Sequence, residues 1–222
     1  MKNKFLIKLI IPIYKIYCDI KWNIKWKNYL KTNDKLNLIV GAANTDYQGW
    51  FPTDIQINDG SQIQINVFDF DITKEEHFIS KLNNRKINKV LAEHVLEHLT
   101  LEQIEKMLEN FSKYAEKDIN IRIAVPDGYH NNQEYIEMVK PGGHGEGAHD
   151  HKHLFNYQSL SKIFENYGFK AEFIEYWDEN QQFHTIYNND DKGYIKRSAL
   201  NDKRNIKDKP FYTSLIIDFT KI

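Results

Sequence analysis

The ten residues Val90-Leu-Ala-Glu-His-Val-Leu-Glu-His-Leu99 constrain the fold more than any other stretch of the chain. An apolar run comes first, and an acidic, histidine-bearing turn follows it. A short apolar run that ends in turn residues is typical of a buried strand in a parallel sheet. Open α/β sheets bind their ligands at the carboxyl ends of such strands. We therefore expect Glu93 and His94 to lie at the ligand-binding edge of the sheet.

Strand and helix patterns alternate around this stretch, which predicts an α/β fold with a mostly parallel sheet and helices on both faces. The predicted strands cover 35–41, 53–55, 63–70, 89–92 and 119–125, and strands over 169–176 and 212–220 close the chain as an antiparallel pair. The predicted helices cover 74–82, a segment opened at Thr100, and 157–167 before Gly168. Capping boxes are expected at Thr73 with Glu76 and at Thr100 with Gln103.

The first 31 residues differ in charge from the rest of the chain. They hold eight lysines and one acid, Asp19, and so carry +7 of a total charge of −1, leaving −8 for the remainder. Apolar and aromatic residues recur there at helical spacing, with Pro12 as an expected kink. This predicts a basic amphipathic arm, 1–31, which either packs on the core or lies on an anionic membrane surface. Residues 32–222 are expected to form a single domain.

Composition narrows the class of protein. With 222 residues, of which 41% are hydrophobic, the chain can bury one substantial core. The single cysteine, Cys18, excludes an internal disulfide and fits the cytoplasm, and its expected role is that of a small apolar filler. Lys8, Pro12 and Lys15 interrupt the apolar N-terminal stretch, so we expect neither a membrane span nor a signal peptide.

Three strand ends carry residues that suit a nucleotide. Gly41 ends the first predicted strand, where a glycine lets the backbone approach a ligand closely. Asp54 and Asp71 end the second and third, where a carboxylate can accept ribose hydroxyls or face an adenine amino group. By pattern alone this indication is weak, because a strand that ends in glycine is often only a turn.

Beyond these residues the sequence resembles the class I S-adenosylmethionine-dependent methyltransferases, and within them a compact bacterial subgroup. The matching segments are 38–42, 49–50, 71–74, 91–100, 122–128, 139–143, 150–152, 168–169, 175–176, 178–179, 183–184, 197–198, 204–205 and 212–215. The resemblance covers about residues 35 to 222 and leaves the arm unexplained. It implies a Rossmann-like, seven-stranded sheet with a C-terminal antiparallel hairpin.

The resemblance also implies S-adenosylmethionine as the cofactor and nine residues that hold it. They are Gly41, Ala42, Ala43, Asp54, Ile55, Asp71, Ile72, Glu93 and His94. Ala43 departs from the family, whose members mostly have a second glycine at that position. The Ala43 methyl group narrows the space in which the backbone approaches the ligand. The chain is therefore either an enzyme of this family or a relative that binds without catalysing.

Two histidine patterns raise the question of a metal. His94-Val-Leu-Glu-His98 spells the inverted zinc-peptidase motif, but that motif needs one continuous helix and here it straddles a strand end. Residues 144–153 hold four histidines and two acids, which could ligate a metal, bind an acceptor or supply a base. We assign no metal ligand from the sequence.

The expected reaction is methyl transfer to a hydroxyl or amine of a small molecule or glycan, in which the protein mainly aligns the reactants. The predicted acceptor-side residues are Asp127, His130, His149, Asp150 and His151, with His151 or Asp150 as base and Lys152 and Arg197 as anion-binding residues. Outside the arm the sequence has no stripe of basic residues that would indicate binding to a nucleic acid, so we expect no nucleic-acid substrate. The resemblance suggests polysaccharide biosynthesis. The alternative is a catalytically silent module for binding or assembly, peripheral to a membrane through its arm.

Overall fold

The computed structural model describes residues 2–58, 63–206 and 209–222, with side chains from residue 10 onward. Its helices are α1 Lys2–Thr32, α2 Glu75–Lys81, α3 Leu101–Tyr114, α4 Gln133–Val139 and α5 Tyr157–Glu165. Its strands are β1 Asn37–Val40, β2 Phe51–Pro52, β3 Ile57–Asn58, β4 Ile63–Gln64, β5 Ile87–Glu93, β6 Ala115–Pro126, β7 Phe169–Trp177, β8 Phe183–Thr185 and β9 Ser214–Lys221. Two single 3₁₀ turns cover Leu96–His98 and Ala148–Asp150.

Seven strands form one sheet in the order β2-β1-β5-β6-β9-β7-β8. The pairs β1–β2, β1–β5 and β5–β6 are parallel, and the pairs made by β9 and β8 are antiparallel. Five of the seven strands therefore run in one direction, and the C-terminal strand is inserted against them. This topology confirms the predicted Rossmann-like fold class with its C-terminal antiparallel hairpin.

The predicted third strand, 63–70, is largely wrong. Residues Ile63–Gln64 pair instead with Ile57–Asn58 in a separate two-stranded sheet. What remains of a third parallel strand is one bridge between Asp54 and Asp69. The seventh strand of the main sheet is β8, at the opposite edge.

The two faces of the sheet are covered differently. Side chains of α1, α2, α3 and α5 pack with one face in the larger core, which includes Trp26, Phe78, Met107 and Phe164. The other face forms a smaller core, closed by Tyr187 and Ile195 from the irregular segment 186–206. Within the described residues no helix belongs to this smaller core. The expectation of helices on both faces is corrected accordingly, because an extended segment takes the place of a second helical layer.

Helix α1 joins the core through its second half. The indole nitrogen of Trp26 donates to the Lys81 carbonyl at 2.8 Å, and its ring packs edge-on against Phe51. Cys18 is buried, as expected for an apolar filler. Pro12 lies inside the helix and does not end it, and the kink expected there stays a prediction. Among the described residues, no helix combines the length and apolarity that crossing a membrane requires.

One of the two predicted capping boxes forms. The Thr100 hydroxyl accepts from the Gln103 amide at 3.2 Å, and the Gln103 side chain accepts from Thr100 N at 2.8 Å. Thr73 does not cap α2, because its hydroxyl donates to the Asp71 carboxylate at 2.7 Å and Lys74 takes the N-cap position. The Asp71 carboxylate, only two residues away, thus engages the Thr73 hydroxyl in place of the backbone amides at the start of α2.

Candidate functional site

A cavity of about 780 Å³ opens at the carboxyl ends of β1 and β5. The chain leaves β1 toward β2 on one side, while β5 pairs with the other side of β1. The sheet order therefore reverses between β1 and β5, and open α/β sheets bind ligands in the crevice at such a point. The walls come from residues 39–45, the end of β5 with the turn after it, the 138–151 region and four residues of 196–212.

The turn after β1 requires glycine at its first position. Gly41 has φ +61°, and a Cβ there would lie 2.5 Å from Val95 Cγ2. Ala43 also has a positive φ, +46°, which strains an alanine by about 1–2 kcal/mol. The Asp54 carboxylate accepts from the Ala43 amide at 3.0 Å and so holds the turn in this strained shape. The cavity wall is thus preformed, with the Ala43 methyl group on it.

Glu93 fastens the far wall of the cavity. Its carboxylate accepts from the backbone amides of Lys196 at 3.2 Å and Arg197 at 2.8 Å. The Arg197 guanidinium lies 3.9 Å away. These hydrogen bonds connect the segment 186–206 to the end of β5. Arg197, which belongs to this segment, lines the cavity.

His94 turns the chain away from the strand. Its φ is +56°, an uncommon value for histidine that costs about 1–3 kcal/mol and is often found at functional sites. Nε2 lies 3.0 Å from the Ser214 hydroxyl, and Nδ1 lies 3.1 Å from Oε1 of Glu97. Glu97 is completely buried. Burial raises the pKa of Glu97, but the neighbouring His94 imidazole outweighs burial and lowers the pKa overall.

Five of the nine predicted cofactor residues line the cavity, namely Gly41, Ala42, Ala43, Glu93 and His94. The other four lie outside its lining. Ile55 is exposed. The Asp54 carboxylate accepts from the Ala43 amide and so supports the turn that lines the cavity. The Asp71 carboxylate accepts from both the amide and the hydroxyl of Thr73, and Ile72 is buried in the larger core. Their roles in holding a cofactor stay predictions.

The five predicted acceptor-side residues are not brought together. His151 lines the cavity. Its Nδ1 lies 2.7 Å from the Val139 carbonyl, and burial lowers its pKa. His149 and Asp150 are exposed on the same loop, where Asp150 faces His98 at 3.4 Å.

Asp127 and His130 lie in the protein interior, outside the cavity lining. The Asp127 carboxylate accepts from the amides of Trp177 and Tyr129 at 2.8 and 2.9 Å, and burial raises its pKa to about 7. His130 stacks on Tyr135, and burial lowers its pKa to about 4. These contacts join the end of β6 to β7 and α4 and so hold these elements together.

Several cavity residues had no role in the sequence prediction, in particular Glu97, His98, Arg204 and Tyr212. The guanidinium of Arg204 lies 3.3 Å from the Tyr212 ring centroid and pairs with Asp202. Glu97 and His98 belong to the peptidase-like motif, and all four residues lie in segments that carry the resemblance, but neither pattern places them at a cavity. Chain segments more than 100 residues apart bring them together there.

Comparison with known proteins finds likeness at the level of fold. No family model and no curated protein matches the chain. A methyltransferase structure from Archaeoglobus fulgidus, described as dependent on S-adenosylmethionine, is 19% identical, covers 96% of this chain and 94% of its own, and has a TM-score of 0.48.

Two further structures show a similar degree of likeness. Magnesium protoporphyrin IX methyltransferase from Synechocystis PCC 6803, solved with bound S-adenosylhomocysteine, is 12% identical, with coverage of 94% and 84% and a TM-score of 0.45. A methyltransferase from Methanosarcina mazei, again described as dependent on S-adenosylmethionine, is 10% identical, with coverage of 88% and 96% and a TM-score of 0.47. These likenesses concern the course of the chain and carry neither a substrate nor a residue role over to it.

Proposed function

We propose that this chain is an S-adenosylmethionine-dependent methyltransferase acting on a hydroxyl or amine of a small-molecule or glycan-linked acceptor. The observation that carries the proposal is the cavity at the topological switch point, bounded by the Gly41 turn on one side and Glu93 and His94 on the other. The sequence resemblance adds the cofactor and the place of this protein in polysaccharide biosynthesis to the proposal.

The residues around the cavity fit the sulfonium end of this cofactor. Gly41 lines the cavity, and a Cβ on it would collide with Val95, so the turn keeps this shape only with glycine. The carboxylate of Glu93 and the cations of Lys196, Arg197 and Arg204 face the same space, and suit an amino-acid moiety with one positive and one negative group. The adenine contacts proposed for Asp71 and Ile72 rest on the resemblance.

In this proposal the protein aligns the reactants and keeps water out. S-adenosylmethionine, when bound, supplies an electrophilic methyl group for in-line transfer. In this proposal Lys196 serves the amino-acid moiety of the cofactor, whereas Arg197 and Arg204 orient an anionic acceptor from the wall opposite the turn. His151 accepts the proton of the acceptor, because burial keeps its imidazole neutral near pH 7.

Gly41→Ala should weaken S-adenosylhomocysteine binding at least tenfold, measured by calorimetric titration against a micromolar wild type. The added methyl group collides with Val95 and strains a residue at positive φ, so the turn must move. Gly49→Ala is the matched control, because Gly49 has φ +81° but its added Cβ meets nothing within 4 Å. Equal effects in both variants would contradict a site at Gly41.

Turnover separates the enzyme from a silent binding module. The enzyme should release S-adenosylhomocysteine when given S-adenosylmethionine and a mixture of anionic small-molecule and glycan acceptors. A protein that binds the cofactor tightly and never releases this product would support the module, with Ala43 as its structural sign.

A second proposal concerns helix α1, which we infer docks on an anionic membrane surface. One side of α1 packs on the core, whereas Ile10, Ile13, Tyr17, Ile20 and Ile24 on the other side are each more than half exposed. Lysines flank this stripe, which is the arrangement of an interfacial helix. A symmetric contact between two copies would bring two arms of charge +7 together, so charge favours anionic lipid over a second copy.

Sedimentation with vesicles tests this docking. The full chain should pellet with vesicles that contain anionic phospholipid and much less with zwitterionic ones, and added salt should release it. Ile13→Asn with Ile20→Asn should reduce pelleting at least fivefold, while Ile79→Asn, exposed on α2, should leave it unchanged. Concentration-dependent dimers that the double variant abolishes, without vesicle binding, would instead assign the stripe to a second copy.

A further inference from the structure

Three side chains that ligate metals in other proteins converge on the floor of the cavity. Glu97 and His98 come from the turn after β5, and His151 comes from the loop after α4. Each offers one ligand atom, and the three atoms lie within 4.8 Å of one another. All three residues line the cavity.

The carboxylate of Glu97 lacks the partners that a buried charge needs. It has no solvent exposure, and within the described residues neither oxygen makes a well-formed hydrogen bond. Its nearest basic group is the His94 imidazole, whose Nδ1 lies 3.1 Å from Oε1. Removing a carboxylate from water without partners costs several kcal/mol. A cation in the cavity floor would balance that charge.

The two imidazoles are oriented as metal ligands usually are. Nδ1 of His151 lies 2.7 Å from the Val139 carbonyl, which fixes a proton on that nitrogen and leaves the lone pair on Nε2. Nδ1 of His98 lies 3.4 Å from the Asp150 carboxylate. A carbonyl or carboxylate behind the ring is the typical support of a metal-bound histidine.

We propose that Glu97, His98 and His151 bind a divalent transition-metal ion with an open position toward the cavity. Two imidazoles with one carboxylate suit zinc, manganese, iron or cobalt better than magnesium or calcium. Ligand atoms about 2.1 Å from an ion stand roughly 3.4 Å apart, so side-chain rotation alone would close the site. This differs from the peptidase arrangement, because His94 is engaged by Glu97 and Ser214.

The metal site does not depend on methyl transfer. If the proposed function holds as well, the ion would occupy the lone pair of His151, and that histidine would no longer accept a proton. The ion would then bind the acceptor oxygen or nitrogen directly and lower its pKa. In that case the bound acceptor loses its proton to water.

Metal titration of the chelator-treated full chain tests the site without cofactor or acceptor. Zinc, manganese and cobalt chlorides should each be tried by calorimetry, with bound metal counted by elemental analysis. We expect one ion per chain for at least one metal, and visible d–d absorption bands for bound cobalt. Glu97→Gln and His98→Ala should each weaken binding at least tenfold, and Glu97→Gln keeps the shape of the buried side chain.

His144→Ala and His149→Ala are matched controls, because both histidines are exposed on the same loop as His151 and outside the cluster. Both should bind metal as the wild type does. Absence of stoichiometric binding to a folded wild type would overturn the proposal. So would binding that survives Glu97→Gln but falls in the control variants. Circular dichroism establishes folding, and S-adenosylhomocysteine titration reports separately on the proposed function.

Discussion

Arg122→Met should lower the free energy of unfolding by about 3–5 kcal/mol, because it leaves a buried carboxylate without its main partner. Arg122 is 1% exposed and lies on β6, facing the smaller core. Its guanidinium donates to Asp218 at 2.7 and 2.9 Å, to Asp190 at 2.8 and 3.1 Å, and to the Gly193 carbonyl at 2.8 Å. Burial lowers its pKa, but these carboxylates outweigh burial and raise it overall.

Denaturant unfolding monitored by circular dichroism measures this loss. Asp218 keeps only Lys192, at 3.2 Å, in the variant. Adding Asp218→Leu should recover part of the loss, because an apolar pair removes the uncompensated charge. Lys106→Met is the surface control, because Lys106 and Glu102 form an exposed i,i+4 pair that solvent screens. A loss below 1 kcal/mol in Arg122→Met would contradict the role assigned to this network.

The network also bears on the site. Arg122 holds Asp190 and Gly193, which begin the segment that continues to Lys196 and Arg197 at the cavity wall. The single variant should therefore also weaken any ligand that this wall binds. Without the arginine, the segment keeps its contacts with Glu93 and Glu175 but loses those that Arg122 makes at Asp190 and Gly193.

Relative to Glu175→Gln, the wild type should lose stability as pH rises from about 4.5 to about 8. Burial raises the pKa of Glu175 to about 8, because its carboxyl group has no solvent exposure. The hydrogen bonds that it accepts from Ala199 N at 2.8 Å and from the Thr185 hydroxyl at 3.2 Å act in the opposite direction but do not outweigh burial. A carboxyl group with a raised pKa in the folded state stabilises fully below its ordinary pKa of 4.5, and this contribution disappears as pH rises through the folded value.

The loss attributed to Glu175 is on the order of 5 kcal/mol, for a shift from 4.5 to about 8 at 1.36 kcal/mol per pKa unit. Asp127, whose pKa burial raises to about 7, acts in the same direction and is present in both proteins. The difference between wild type and variant across the pH range therefore isolates Glu175. Glu172→Gln removes a carboxylate from the exposed part of the same strand and should reproduce the wild-type curve. Parallel curves for wild type and Glu175→Gln would contradict a protonated, buried Glu175.

The sequence predicts the position of a site residue when a local pattern of neighbouring residues determines that position. Gly41, Glu93 and His94 were placed correctly at the cavity, because a strand end followed by a polar turn is a local pattern. Asp71 was expected at the ligand, yet its carboxylate accepts from Thr73, only two residues away. The predicted cap at Thr73 fails for the same reason, since both expectations used the same two polar groups.

The sequence by itself determined the alternation of the main parallel strands with helices, the turn at Gly41 and the polar end of β5. These follow from hydrophobic period, glycine conformation and local capping, which act over a few residues. Only the tertiary structure decided what covers the second face of the sheet and which distant groups meet. Segment 186–206 has no regular period, and Arg122, Asp190 and Asp218 are 68 and 96 residues apart in sequence. Their association depends on the desolvation and pairing of charged groups that are distant in sequence. Glu97 and His151 are likewise distant in sequence, since the two residues come from different loops.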